Sequence, residues 1–146
     1  MRNWSIFVAV ALLLVGCQRS DDLPTVRLGE DPCANCGMLI NDVQFACAIQ
    51  DAEGTYHKYD DFNCMFIHAS SGRIKPQRYF VPDYEQPNQW LDGKQAFYAR
   101  TQDLQTPMGS RTAAVRTRER ADKILKEHGG GAVLTFAQAQ QEWGKR

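Results

Sequence analysis

Neither sign of charge predominates in this chain: its 17 lysines and arginines are matched by 17 aspartates and glutamates. Such a balance leaves no electrostatic footprint for nucleic acid. Histidine is scarce, with 3 in 146 residues. His57 falls on an alternating segment, and His68 and His128 fall within helical ones. None has metal-ligand spacing to another, so each reads as structural or solvated. The sequence has no glycine-rich phosphate loop, no His-Glu-x-x-His and no pattern of nucleophile and base, so enzymatic chemistry has no visible carrier. Long apolar runs are lacking too, since the stretch from Ile6 to Val15 is too short for a comfortable membrane span.

That stretch, preceded by Arg2 and followed by Leu14-Val15-Gly16-Cys17, reads instead as a lipoprotein signal over residues 1–16. Leu-Val-Gly-Cys resembles the bacterial lipobox, which implies a diacylglyceryl thioether on Cys17 and a mature chain that begins there. An ordinary secretory signal or a membrane anchor is the plainer alternative. Gln18, rather than an aspartate, follows the cysteine, and in Gram-negative bacteria this favours the outer membrane, with the protein facing the periplasm. Residues 17–29, polar and containing Ser20-Asp21-Asp22 and Pro24, read as a flexible tether. Residues 30–146 have the length of one compact domain.

What the chain does have is sulfur. Cys33-Ala34-Asn35-Cys36-Gly37-Met38 places two thiols and a thioether within one short segment, a soft donor set that suits Cu(I). The Cys-x-x-Cys pair alone is shared by zinc sites, thiol redox centres and disulfides, so Met38 tilts the balance. In an extended segment Cys36 and Met38 lie on one side, with Gly37 free to fold tightly, although Met38 followed by Leu39 and Ile40 also suits a core. Met108 lies in Thr106-Pro107-Met108-Gly109-Ser110, which has no apolar period and reads as a displayed loop. If that loop folds over Cys36 and Met38, a three-sulfur Cu(I) site results. A loop methionine covering a hydrophobic patch is the alternative.

Cys47 falls on the apolar side of an alternating segment and reads as core, whereas Cys64 lies off the stripe of Phe62, Met65 and Phe66 and reads as solvent-facing or semi-buried. Asp60-Asp61 reads as helix capping. In an oxidising compartment Cys33, Cys36, Cys47 and Cys64 are expected to pair, whereas a copper site needs its thiols reduced. Two further functions remain open: a module in which those four cysteines hold structural zinc, and a thiol-disulfide oxidoreductase using Cys33 and Cys36. For the second, the strand, Cys-x-x-Cys and helix context is missing.

The periodicities predict an α+β fold of tandem β-β-α-β repeats. A strand through Phe45, Cys47 and Ile49, a turn at Asp51–Gly54 and a strand Thr55–Tyr59 lead to a helix capped by Asp60 or Asp61 and ended at Ser71-Gly72. Tyr79–Val81 is a short strand before a loop from Pro82 to Pro87. Gln95–Arg100, Thr112–Arg116, a helix capped by Thr117 and a strand Ala132–Leu134 repeat the order. Thr135 to Gln138 is a capping box for a short last helix.

Taken in order, Asp31 to Met38, Tyr59-Asp60-Asp61 with Cys64-Met65, Gln89 to Asp92 with Ala96-Phe97-Tyr98, Thr106 to Gly109, and Gly129-Gly130 with Val133 to Phe136 resemble the successive blocks of the NosL family. These are accessory lipoproteins of nitrous-oxide reductase maturation. The resemblance implies a fold related to organomercurial lyase and a Cu(I) chaperone for the reductase, assisted by a membrane transporter complex. Carried over position by position, it implies Cys36, Met38 and Met108 as metal ligands, with Cys33 a fourth or a transfer ligand. A homodimer in which two chains share an ion stays open. Arg111 to Val115 departs from the family's pattern, where a more apolar, aromatic strand is expected.

Overall fold

The computed structural model describes residues 22–145, so the expected signal and lipidated Cys17 lie outside the described residues. The chain runs β1 (Cys47–Asp51), β2 (Tyr56–Tyr59), α1 (Phe62–Ser70), β3 (Pro76–Asp83), β4 (Gln86–Asp92), β5 (Phe97–Thr101), β6 (Thr112–Val115), α2 (Arg118–Glu127), β7 (Gly131–Leu134) and α3 (Phe136–Trp143). One sheet has the order β2-β1-β3-β4, the other β6-β5-β7. All pairings are antiparallel. In each half the first strand lies between the second and the third, so the two β-β-α-β units share a topology as well as an order of elements.

Local chemistry accounts for the boundaries. The Asp61 and Thr117 side chains accept from backbone N–H groups of the first turns of α1 and α2, and Thr135 and Gln138 form the expected capping box at α3. The β1–β2 turn is held by Asp51, whose Oδ1 accepts from Glu53 N and Thr55 N. Alternation along β1 suggests one wet face, yet Ala48 is buried as fully as Cys47 and Ile49. Its cross-strand neighbours are Lys58 and Phe80, long side chains that stand on either side of a small one.

Two features depart from the sequence reading. The expected Pro82–Pro87 loop is instead a tight turn at Tyr84-Glu85, because β3 continues to Asp83 and β4 begins at Gln86. Pro87 and the polar Asn88 and Gln89 disguise β4. It is an edge strand, where a missing N–H costs no ladder bond if it faces outward. Further, the packed chain reaches back into the segment read as a tether: Pro24 is buried, Val26 packs against the core, and the Tyr56 hydroxyl donates to the Asp22 carbonyl. The β6 segment, less aromatic than expected, is buried throughout its length.

The core joins the two halves through α1. Phe62 and Phe66 meet Tyr98 of β5 edge-on, at centroid distances of 5.8 Å for each pair, and Phe66 stacks on Trp143 of α3. This fixes the orientation of α1. Its buried face also meets β1 and β2 of the first sheet, and its amino end, with Asp61 and Phe62 fully buried, lies beside the cysteine segment.

Candidate metal centre

Residues 33–38 form a tight turn closed by a bridge between Pro32 and Leu39. Cys33 N donates to the Met38 carbonyl at 2.7 Å, and Gly37 N donates to the Cys33 carbonyl at 2.9 Å. Gly37 has φ +79°, a left-handed conformation that a side chain would strain. The turn is fastened to β2 by Ala34 N donating to the Lys58 carbonyl at 2.8 Å, and by the Lys58 ammonium on Asp31 Oδ2 at 2.7 Å. It therefore lies against the β2–α1 corner, which carries Asp60, Asp61 and Cys64.

There the Sγ atoms of Cys33, Cys36 and Cys64 and a carboxyl oxygen of Asp60 all lie within 4.8 Å of one another. Cys36 is exposed, while Cys33 and Cys64 are each only 2% exposed, so the group has one open member and a buried interior. The Cys36 thiol donates to Asp60 Oδ2 at 3.6 Å. Asp60 Oδ1 is buried with no hydrogen-bond partner, an uncommon condition for a carboxyl oxygen. Cys33, Cys36, Cys47 and Cys64 are all free thiols, so the expected pairing among them is not seen.

The thiols differ in how readily they ionise. The Cys64 thiol, directed at the Cys33 sulfur, pulls Cys33 down to about 6 from an ordinary 9.0; the N–H groups of Cys36, Asp60 and Asn35 assist, against the effect of burial. The same interaction, and burial, push Cys64 up. Burial also raises Cys36. Within the buried pair, ionisation is thus favoured at Cys33 and opposed at Cys64.

The Met108 loop reaches the same corner from the second half of the chain. Asp61 Oδ2 accepts from Thr106 Oγ1 at 2.8 Å, Met108 N at 2.9 Å and Ser110 N at 3.2 Å, and Asp61 Oδ1 accepts from Phe62 N and Ser110 Oγ. Asn63 Nδ2 adds a bond to the Met108 carbonyl at 2.7 Å. Asp61 therefore starts α1 and anchors the loop in one step. Met108 is 37% exposed and Met38 55%, so neither enters the core, and the alternative of Met38 as a core residue is set aside.

The sequence-predicted residues are thus partly reunited. Cys33 and Cys36 share a cluster, whereas Met38 and Met108 are exposed, Met38 being tied to Cys33 and Met108 to Asp61 through their backbones. Cys64, expected to be solvent-facing or semi-buried, is buried: it lies on the first turn of α1, where the Cys33–Met38 turn sets Cys33 and Cys36 against it. Asp61 alone caps α1, and Asp60 belongs to the cluster. The only signal for this pair was adjacency, two acids followed by a cysteine at a helix start. Cys47 is core as expected, its thiol directed at the Asp61 carbonyl at 3.7 Å, which removes it from the proposed zinc quartet. His57, His68 and His128 pair with Asp51, Tyr59 and Asp103.

Among known proteins, the NosL family model matches residues 26–144. The crystal structure of the copper chaperone NosL from Shewanella denitrificans is similar with a TM-score of 0.67, at 14% sequence identity, covering 80% of this chain and 94% of that one. At that identity the likeness speaks for the fold. No curated protein matches in sequence.

Proposed function

The chain belongs to the NosL family, and from that membership we propose that it is a carrier of copper: it binds Cu(I) and passes it on as a chaperone. The observation that carries this reading is the convergence of two distant segments on the amino end of α1. Cys36 touches Asp60, and the Met108 loop is anchored on Asp61, the next residue. Cys36, Met38 and Met108 supply the soft, exposed donors that favour Cu(I) over harder ions, with Cys33 behind them. Exposure suits exchange. An acceptor's ligands can approach a shallow site and replace its donors one at a time.

The acceptor in this reading is nitrous-oxide reductase, reached together with its membrane transporter complex. A lipid on Cys17 holds the protein at the periplasmic face of a membrane, in the outer membrane given Gln18. Among the described residues no helix is long and apolar enough to cross a membrane, so in this reading attachment falls to the lipid. A rival reading, structural zinc, draws on the oxygen donor that Asp60 adds to Cys33, Cys36 and Cys64, a set that suits tetrahedral Zn(II). Elemental analysis of protein purified without added metal separates the two, since the rival requires stoichiometric zinc.

The test of copper binding is titration of the reduced protein with Cu(I) against a Cu(I)-selective chelator. One ion per site is expected, with a large loss of affinity in Cys36→Ser and a smaller one in Met108→Ala. Unchanged binding in both variants would overturn the assignment.

A further inference from the structure

The exposed donors account for a shallow site, but they leave Cys64 and Asp60 without a purpose. We propose that Cys33, Cys36 and Cys64 form an inner thiolate station for the same copper ion, distinct from the outer set of Cys36, Met38 and Met108, with Cys36 shared between the two. This rests on the reading of the protein as a Cu(I) carrier.

Spacing is the first support. A metal–sulfur bond of about 2.3 Å places three sulfurs around one ion roughly 4 Å apart. The Sγ atoms of Cys33, Cys36 and Cys64 already lie within 4.8 Å of one another, so closing them on an ion takes only small side-chain movements. Burial is the second. Cys33 and Cys64 are held on rigid partners, the turn fastened to β2 and the first turn of α1, and both are nearly inaccessible to solvent. A ligand arriving from outside meets Cys36 first.

The third support is independent of the thiols. Asp60 contributes a carboxyl oxygen to the cluster, and its Oδ1 is buried without any hydrogen-bond partner. A buried polar atom in that condition is costly unless a partner from outside the chain compensates it. A cation beside the three sulfurs does so. Carboxylate oxygen is a poor ligand for Cu(I), so Asp60 acts here as the charge partner that holds the ion in place, while the sulfurs bond it.

The two stations divide the work of a carrier. In the inner one the ion is surrounded by thiolates, shielded from water and slow to leave. In the outer one thioethers replace two of them, and the ion is exposed for exchange. Passage between the stations needs no release of copper, because Cys36 remains bonded throughout while Cys33 and Cys64 give way to Met38 and Met108, with protons from solvent neutralising the thiolates as they leave the ion.

The experiment compares reduced full-length chains titrated with Cu(I) alone against a competing chelator, with sulfur coordination read from X-ray absorption at the copper edge. The double variant Met38→Ala/Met108→Ala lacks both outer thioethers and leaves the inner cluster untouched. It should still bind one Cu(I), with only sulfur neighbours and slower transfer to the chelator than wild type. Adding Cys64→Ser, which removes one of three bonds to the ion, should lower its affinity by at least about 100-fold, and adding Asp60→Asn by about tenfold, within the range typical for groups that support a metal from behind. Near-ultraviolet circular dichroism of each apo variant checks that the fold survives. Loss of all copper binding in the double methionine variant, or full retention after Cys64→Ser, overturns the inner station. Either result leaves the copper reading intact if wild type binds Cu(I) and Cys36→Ser does not. Failure of wild type to bind refutes both.

Discussion

Asp61 is the residue on which the proposed outer site depends most, and its substitution by asparagine has a magnitude that the hydrogen bonds set. The side chain is fully buried. Both oxygens act only as acceptors: Oδ1 takes Phe62 N and Ser110 Oγ, and Oδ2 takes Thr106 Oγ1, Met108 N and Ser110 N. Asparagine can keep one oxygen for the Phe62 cap, but its amide nitrogen then faces the N–H groups of Met108 and Ser110. Each buried donor left without an acceptor costs roughly 1–3 kcal/mol, so the pair implies about 4 kcal/mol in Asp61→Asn. Against a total of about 5–15 kcal/mol for a domain, the variant still folds. Its midpoint of thermal unfolding should fall by on the order of 10 °C.

The assay is urea unfolding of the reduced apo protein followed by tryptophan fluorescence. Asn63→Ala provides a comparison, because it removes two bonds, the one to the Met108 carbonyl and the one that Cys64 N donates to Asn63 Oδ1, and should cost about 2 kcal/mol. The same Asp61→Asn protein, at a urea-free temperature where it is folded, should bind Cu(I) more weakly, since Met108 must then be ordered at the expense of binding. An Asp61→Asn variant within about 1 kcal/mol of wild type would show that the corner is not held by these bonds, and the reasoning from them would fail.

Other outcomes follow from single features. Arg27 N and the Lys58 ammonium hold the Asp31 carboxyl down to about 2 from an ordinary 3.8; its stabilisation is therefore complete above the unfolded value and lost as pH falls through the folded one. Stability curves of wild type and Asp31→Asn should converge between those limits, and parallel curves would contradict the assignment. Cys33 ionises first among the thiols, so ultraviolet thiolate absorbance of the reduced apo protein should show a step near pH 6 that Cys33→Ser lacks. A first step no lower than that of an ordinary thiol would refute this. At Gly131, φ is +140° and an added Cβ would lie 2.0 Å from the Arg100 carbonyl oxygen, whereas at Gly130 it would meet nothing within 4 Å. Gly131→Ala should thus cost about 3 kcal/mol or more in urea unfolding and Gly130→Ala about 1, and equal costs would remove the role given to the close approach in the β5–β7 pair.

Much of the fold was legible because its signals are local. The capping residues Asp61, Thr117 and Thr135 announce their helices, and the doubled order of strands and helix follows from periods of two and near four. What stayed hidden depends on neighbours that are distant in sequence. Pro87 argues against a strand unless the strand is known to be at an edge, and only the sheet order supplies that. Cys64 lies off the stripe of Phe62 and Phe66, and off-stripe positions face water unless another segment covers them; the covering turn lies almost thirty residues earlier, on the far side of the β1–β2 hairpin in sequence. Cys36, Met38 and Met108 were legible as soft donors, whereas Asp60 was not, because Asp60 and Asp61 are equally good caps until the backbone chooses one.

The duplicated units make that choice informative. The caps Asp61 and Thr117 align the two helix starts, so Asp60 corresponds to Arg116 and Cys64 to Arg120. In the second unit these positions carry cations: Arg116 and Arg120 approach the buried Asp83 carboxyl at 3.8 and 3.7 Å, and Arg120 also pairs with Glu85 at 3.1 Å. Asp83 Oδ2 is itself buried without a hydrogen-bond partner, and two guanidinium groups of the chain meet it there at ion-pair distance. In the first unit the equivalent positions carry an acid whose Oδ1 has no partner and a thiol set against two others. Both caps are extended, with φ −156° and ψ 159° at Asp61 and φ −130° and ψ 156° at Thr117, so the difference between the corners lies in the side chains. A buried carboxyl that the second unit meets with its own arginines, and that the first sets among sulfur donors with no ion pair among the described residues, calls for a cation from outside the chain, and a soft cation is the one its donors select.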